Sequence, residues 1–327
     1  MGSGVGYNKV MSSSSSDIDF LEQQINLACW LEATARKPGN VHPGQSFVDL
    51  DYGDFIQSAE AVAPILADAN RCGVGRAILN ATQKTRDIVR RNTNLGIVLL
   101  MAPLSAVPVG QRLTEGIGHV LAELDQGGLS DVDFVFEAIR VAQPGGMGTV
   151  KDQDVCAPPS KSLVECMSLA ADRDTIARQY TDGFEQVLTA AASLAGYWQE
   201  SRWEQSIIRL YLSLLSTTPD TLIQRKCGAN AAREVSDQAA DVLSNLPQTF
   251  DARHPALLNF DSKLRLDGHR LNPGTTADMV AAILFAALRE RTIVWTGKID
   301  LANAVNTFAG KFTNNFVQNA NQTSDTE

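Results

Sequence analysis

The chain has no excess of basic residues, since 28 lysines and arginines stand against 37 acidic residues and give a formal net charge of −9. Proteins that bind nucleic acid through its phosphate backbone present a basic face. The acidic balance therefore argues against general nucleic-acid binding. It also makes any local cluster of cations informative, because such a cluster departs from the overall composition.

Cysteine pairs and long hydrophobic runs are also absent. The five cysteines are scattered and show no C-x-x-C spacing, which argues against a disulfide framework or a zinc site and is typical of a reducing compartment. No apolar run approaches the roughly 18 residues of a membrane span, and we find no apolar segment of a secretory signal. We therefore expect a cytoplasmic protein without membrane attachment.

Apolar residues recur at helical spacing along most of the chain, and alternating β-branched runs are few. The pattern predicts an all-α fold, a single bundle-like domain over residues 17–312 between a serine-rich tail (1–16) and a polar tail (313–327). Helices are expected at about 19–36 (capped by Asp17 or Asp19), 73–91, 111–124, 131–142, 161–171, 174–197 and 202–215, then from the Thr217 region to about 245. Further helices are expected to begin near Asp54, Ile97 and Met279.

The first of four polar motifs follows the first predicted helix and runs from Arg36 to Gly44. Its two prolines fix φ and its glycines permit left-handed backbone, so the loop has a specified shape. Such a loop, carrying Lys37, Asn40 and His42, predicts one wall of a site for a polyphosphate ligand. Glu32, about one turn earlier, is either a solvated carboxylate or an acid aimed into the same pocket.

Three further motifs place small polar residues where apolar helices begin. They are Asn92-Thr93-Asn94-Leu95-Gly96, Pro219-Asp220-Thr221 with Arg225-Lys226, and Asn272-Pro273-Gly274-Thr275-Thr276-Ala277-Asp278. Free backbone N–H groups and the helix dipole favour an anion at such positions. The alternative is ordinary capping, by Asn92, Asn94 or Asp220. Asp278 is either a first-turn acid that gains from the dipole or a buried base or metal ligand.

Two loops carry weaker signals. Asp49 and Asp51 are solvated charges or metal ligands, whereas Asp54 is expected to cap a helix. Residues 143–154 are glycine-rich but match neither a P-loop nor a dinucleotide-binding fingerprint. They are either a mobile lid or a surface loop, with Lys151, Asp152 and Asp154 as ligand candidates.

In their order and rough spacing over about residues 20–290, the four motifs resemble the motif series of the triphosphoribosyl-dephospho-CoA synthase family. The resemblance implies an all-α enzyme that moves the triphosphoribosyl group of ATP onto a ribose hydroxyl of dephospho-CoA and releases adenine. Its product would be the prosthetic-group precursor for the acyl carrier subunits of citrate and malonate lyases or decarboxylases.

The second motif departs from the family pattern. Founding members carry a Gly-x-Asn-Thr-His-Lys-Gly type of motif, whereas residues 92–96 have no imidazole or cation. The chain thus resembles a divergent branch, which leaves the acceptor open. Phosphoribosyl transfer in one-carbon, methanopterin-type cofactor biosynthesis is an alternative, as is a nucleotide-binding helical protein without catalysis.

The reaction implied by the resemblance needs carboxylates for the sugar cation and the acceptor, a donor for the departing adenine, and cations with Mg²⁺ for the triphosphate. The catalytic candidates are Glu32, Asp54, His42 and Asp278. The ATP-binding candidates are Lys37, Pro38, Gly39, Asn40, Arg91, Asn92, Thr93, Asn94, Gly96, Thr221, Arg225, Lys226, Asn272, Gly274, Thr275 and Thr276, and the metal candidates are Asp49 and Asp220. The expected partners are small-molecule substrates, with a homo-oligomer also open.

Overall fold

The structure is a computed structural model, and it describes residues 14–146, 148, 152–266 and 268–297. Over these residues it confirms the predicted all-α fold. The α-helices are α1 (Ser15–Thr34), α2 (Tyr52–Ala67), α3 (Ala69–Cys72), α4 (Val74–Val89), α5 (Leu95–Ala106), α6 (Leu113–Gln126), α7 (Ser130–Ala142), α8 (Leu163–Ala170), α9 (Thr175–Thr181), α10 (Glu185–Ala195), α11 (Trp203–Thr217), α12 (Thr221–Cys227), α13 (Ala229–Asn245), α14 (Pro255–Arg265) and α15 (Gly274–Arg289).

Two apolar helices form the centre of the bundle. Every residue of α5 is buried, as is every residue of α15 from Met279 to Arg289. A helix that is apolar on all sides is stable only inside a core. The two central helices pack on each other, and α1 and α10 pack on α15. Both helices begin at a polar motif, and Gly96 at the start of α5 lies against Asp278 near the start of α15, so these motifs meet at one end of the core.

A tyrosine compensates for a proline inside α5. Pro103 has no N–H, so it cannot donate to the carbonyl oxygen of Leu99 one turn earlier. The hydroxyl of Tyr180 donates to that oxygen instead, at 2.7 Å. This bond satisfies a buried backbone group and ties α9 to the central helix.

Two helices begin earlier than the sequence predicted. Ser14 caps α1, and Asp17 is its third residue, accepting from the Ser14 N–H in a capping box. Asp51 caps α2 in the same way, with Asp54 at the third position. The predicted caps at Asp17 or Asp19 and at Asp54 are therefore wrong, because a capping box places a second acid three residues inside the helix.

Two long predicted helices are each divided at a glycine. The helix expected over 174–197 consists of α9 and α10, which are separated by a turn at Gly183 (φ 70°). The helix expected from the Thr217 region to about 245 consists of α12 and α13, which are separated at Gly228 (φ 90°). Other side chains rarely adopt such φ values. Apolar periodicity continues on both sides of each glycine, so the pattern alone did not reveal the breaks. Helix α14 was not predicted at all.

Part of the expected N-terminal tail is helical. Ser15 and Ser16, expected in the N-terminal tail, belong to α1. The rest of that tail before residue 14, the predicted tail 313–327 and Lys151 lie outside the described residues. None of the described helices combines the length and the hydropathy that crossing a bilayer requires.

Candidate functional site

A cavity of about 990 Å³ lies where the four motifs meet. Each motif contributes to its wall, and α1 adds Glu32. The motif residues that line it are Asn40 and Val41, then Asn92, Thr93, Asn94, Leu95 and Gly96, then Arg225 and Lys226, and finally Asn272, Gly274, Thr275, Ala277 and Asp278. Residues that lie far apart in the sequence thus share one cavity.

Two carboxyl groups face this cavity from neighbouring helices. Glu32 in α1 is 5% exposed, and its Oε1 lies 3.0 Å from Nζ of Lys37. Asp278 is the fifth residue of α15, not a first-turn acid as predicted, and no described residue donates a hydrogen bond to it. Burial, together with the charges of Glu32 and Asp220, raises the pKa of Asp278 well above its usual range. The site therefore favours a neutral Asp278 beside a charge-paired Glu32.

Gly96 allows Asp278 to reach the start of α5. A Cβ at this position would lie 2.1 Å from Oδ2 and 2.5 Å from Cγ of Asp278. A side chain at these distances would force the Asp278 carboxyl to move, so the close approach depends on glycine. The sequence suggested that Gly96 lets a ligand approach, and in the structure the group that approaches is the carboxyl of Asp278.

Lys37 lies behind the cavity wall and is fully buried. Its ammonium group pairs with the carboxylate of Glu32 and donates to the backbone oxygens of Glu32 and Ala35. The three protons of the ammonium group thus have three acceptors. The geometry gives Lys37 a different partner from the triphosphate that the sequence suggested.

The first motif is held in place by α11 and α14. The hydroxyl of Tyr211 donates to the Pro38 oxygen at 2.7 Å, and the Gly39 N–H donates to Oδ1 of Asp261 at 2.7 Å. Gly39 has a φ of 80°, which favours glycine. Pro38 and Gly39 do not line the cavity; they shape the loop that presents Asn40 to it.

Two buried asparagines at the cavity keep one unpaired atom each. Asn40 donates from Nδ2 to Asn272 at 2.6 Å, and Asn94 accepts at Oδ1 from Thr85 at 3.1 Å. Oδ1 of Asn40 and Nδ2 of Asn94 have no hydrogen-bond partner within the described part of the chain. An unsatisfied buried polar group costs about 1–3 kcal/mol.

Asp220 holds two helix ends together. It is 1% exposed and caps α12, as predicted, because Oδ1 accepts from the N–H groups of Leu222 and Ile223. Its Oδ2 accepts from the N–H and the hydroxyl of Thr276 at 2.7 and 2.8 Å. Four donors occupy the two oxygens, and Asp220 does not line the cavity, so it does not fit the predicted metal-ligand role. Thr276 belongs to this contact, the hydroxyl of Thr221 donates to that of Thr275 at 3.2 Å, and neither Thr221 nor Thr276 lines the cavity.

Six cations of the described residues line the cavity, although the chain as a whole is acidic: Arg86, Arg90, Arg91, Arg173, Arg225 and Lys226. Arg91 pairs with Asp49 at 3.1 Å and Arg225 with Asp174 at 2.7 Å. Burial lowers the pKa of Lys226. A cavity lined in this way suits an anionic ligand with several phosphates. Sequence reasoning missed Arg173 and Asp174, which lie in a short turn with no motif around them.

The remaining candidates lie away from the wall or at its rim. His42 contacts the Pro43 oxygen through Nδ1, and burial lowers its pKa. Burial raises the pKa of Asp54, which is engaged in the α2 capping box. Neither residue lines the cavity, whereas the metal candidate Asp49 does. No three His, Cys, Asp or Glu side chains in the described ranges are grouped as a ready metal site.

The described residues of the glycine-rich loop line one side of the cavity. Gly145 and Gly146 lie against Lys226 and Arg225, so that added Cβ atoms would lie 3.2 and 3.1 Å from them. Asp152 and Asp154 also line the cavity. Both readings of this loop, a lid or a static surface loop, are compatible with its position.

Three comparisons with known proteins bear on this geometry. The family model described as CitG, ATP:dephospho-CoA triphosphoribosyl transferase, matches residues 18–296. A crystal structure described as that of a candidate triphosphoribosyl-dephospho-CoA synthase from Archaeoglobus fulgidus is 26% identical, covers 71% of this chain and 97% of that chain, and superposes with a TM-score of 0.55. Curated protein sequences gave no match.

Proposed function

We propose a reaction for this chain from its membership of the ATP:dephospho-CoA triphosphoribosyl transferase family, which makes it a transferase. In the proposed reaction, it moves the triphosphoribosyl group of ATP onto a hydroxyl of dephospho-CoA and releases adenine. The observation that carries the proposal is the pairing, in one cation-lined cavity, of a charge-paired Glu32 with an Asp278 whose surroundings favour its neutral form.

The two carboxyl groups divide the acid and base work. The acceptor hydroxyl oxygen forms a bond to C1′ of the ribose while the bond from C1′ to adenine breaks. Glu32 stabilises the developing sugar cation and takes the proton of the acceptor hydroxyl, and Asp278 donates its proton to the departing adenine. Exchange with solvent then returns the proton from Glu32 to Asp278, which restores the starting state.

The cations supply the second part of the site. Arg86 and Arg90 have no acidic partner among the described residues, and Arg225 and Lys226 line the same cavity. Charge-assisted contacts from these groups suit a triphosphate. Mg²⁺ usually binds through one or two carboxylates together with substrate phosphates, and Asp49 fits that role. The metal would neutralise phosphate charge there.

Dephospho-CoA is the acceptor named in the description of the family. The cavity volume of about 990 Å³ lies at the upper end of the range for small-molecule pockets, as a site for two substrates requires. The alternatives raised by the second motif, a one-carbon cofactor acceptor and a binder without catalysis, gain no support from the comparisons.

The test is product analysis after incubation with ATP, Mg²⁺ and dephospho-CoA. We expect free adenine in equal amount to a product that is heavier than dephospho-CoA by one triphosphoribosyl group. A panel of other alcohols serves as the acceptor control. Measurable ATP binding without adenine release, whichever acceptor is supplied, would overturn the proposal.

A matched pair of arginine variants tests the assignment of the triphosphate site. Arg225→Met removes a cavity cation, whereas Arg233→Met removes an exposed arginine on α13. We expect Arg225→Met to raise the KM for ATP roughly tenfold, the loss of one charge-assisted contact, and Arg233→Met to leave it unchanged. Equal KM values for the two variants would remove Arg225 from the binding site.

A further inference from the structure

We propose that Lys37 is a positioning residue, which holds Glu32 in place as the charged member of the carboxyl pair and so leaves the proton on Asp278. This assignment rests on the proposed function, because it says which carboxyl group is the base and which is the acid in that reaction. Lys37 itself touches no substrate, since it lies behind the wall of the cavity.

The first support is the environment of the lysine. Lys37 is 0% exposed, and an isolated buried ammonium group is very costly unless an opposite charge and hydrogen bonds compensate it. Glu32 lies 3.0 Å away and is its ion-pair partner. The Glu32 carboxylate therefore supplies the opposite charge that the buried ammonium group needs. Lys37 is fully buried and does not line the cavity, so a phosphate bound in the cavity does not contact its ammonium group.

The second support is the pair of hydrogen bonds that Lys37 donates to the backbone. Beyond the carboxylate, Nζ donates to the carbonyl oxygens of Glu32 and Ala35 at the end of α1. These carbonyls belong to the last turn, where helix oxygens lack intrahelical donors. One ammonium group thus fixes both the side chain and the backbone of Glu32. Such double support is what holds a reactive group in one orientation.

The third support is the asymmetry between the two carboxyl groups. Two carboxylates that share a site do not both ionise readily, so one keeps a proton. Four charged groups act on Asp278, and they come from three elements: Glu32 of α1, Asp220 and Arg225 at α12, and Asp174 beside α9. Three of the four are acids, and Lys37 forms its ion pair with Glu32 and not with Asp278. The proton therefore belongs on Asp278.

The kinetic test compares Lys37→Met, Lys37→Arg and Arg225→Met. For Lys37→Met we expect kcat to fall on the order of 10²-fold while the KM for ATP changes little, since the base loses its charge and orientation. Lys37→Arg should recover part of the rate. A raised KM with unchanged kcat, as expected for Arg225→Met, would instead make Lys37 a phosphate ligand.

Two measurements on the folded protein test the pairing without any turnover. In a double-mutant cycle, Lys37→Met should destabilise strongly, and adding Glu32→Gln should restore part of the loss, because it removes the uncompensated buried charge. In infrared spectra near neutral pH, the band of a protonated carboxyl group should disappear in Asp278→Asn and persist in Glu32→Gln. Additive stability losses, or loss of the band in Glu32→Gln, would overturn the assignment. Absence of adenine release by the unmodified protein would count against the proposed function alone.

Discussion

Asp220 and Asp278 are two acids at the cavity end of the bundle, the first buried and the second partly exposed to the cavity, and their contacts are of opposite kinds. The contact around Asp220, which we name the α12–α15 clasp, consists of this carboxylate and Thr276 with the first amides of α12. At the open wall, defined here as Glu32, Gly96 and Asp278, the Asp278 carboxyl faces the cavity and accepts no hydrogen bond from the described residues.

Burial raises the pKa of both aspartates, but hydrogen bonds oppose this effect only in the clasp. Hydrogen bonds from Thr276, Ile223 and Leu222 lower the pKa of Asp220, whereas Asp278 has one opposing charge, Arg225, among neighbours that are mainly other acids. Donors that stabilise the charged form make a carboxylate a structural part, and their absence leaves a carboxyl group free to exchange a proton. The supply of hydrogen-bond donors, and not residue type, therefore distinguishes the structural acid from the proposed catalytic acid.

Asp278→Asn should have the largest effect. Loss of the proposed acid should lower the rate of adenine release by about 10²–10⁴-fold, as measured in single-turnover experiments.

The same substitution should raise the stability of the folded protein at neutral and higher pH. The folded protein holds the Asp278 proton more tightly than the unfolded chain does, so native stability falls as pH rises above the ordinary value of 3.8. The variant should escape this decline and be the more stable protein at pH 8. A decline that is the same in both proteins would contradict the raised pKa.

Asp220→Ala should break the clasp. It leaves the cap of α12 and the Thr276 N–H without an acceptor, and we expect the free energy of unfolding to fall by about 3 kcal/mol. Urea denaturation measures this loss. Asp237→Ala, on the exposed side of α13, is the control and should change stability little. If Asp220→Ala kept its stability but lost the response to Mg²⁺, Asp220 would be a metal ligand after all.

Gly96→Ala should disturb the open wall by steric contact. The added methyl group meets Oδ2 of Asp278, and overpacking of this kind costs about 1–3 kcal/mol. We also expect slower adenine release, because the acid is pushed from its position. Gly118→Ala is the matched control, since nothing lies within 4 Å of a Cβ there and removing a helical glycine should stabilise. Equal effects of the two substitutions would show that the close contact has no role.

Thr276→Val should have the smallest effect. It removes the hydroxyl that donates to Asp220 but keeps the backbone N–H, so about 1.5 kcal/mol of stability should be lost. Thermal or urea unfolding measures the change. Adenine release should stay within about twofold of the native rate, because the clasp lies outside the cavity wall. A large loss of activity in a well-folded variant would show that the clasp is part of the active site.

Several features of the site follow from local sequence and were predictable. Polar motifs at the starts of apolar helices indicated where ligand-binding groups collect, and Asp220 was predicted as a cap from its position before α12. The motif series also indicated the family, which the match over residues 18–296 confirms. The capping boxes and the glycine breaks were missed because a cap and its third residue look alike in sequence, and periodicity continues across a glycine.

By itself, then, the sequence determined the all-α class, the family and the set of motifs, because helical periodicity and motif order are properties of neighbouring residues. Only the tertiary structure decided the role of each charged group. The Gly39 N–H meets Asp261 across 222 positions, and Thr276 meets Asp220 across 56. Burial and the supply of hydrogen-bond donors depend on such distant partners, and they decide that Lys37 pairs inside the wall while Asp278 faces the cavity.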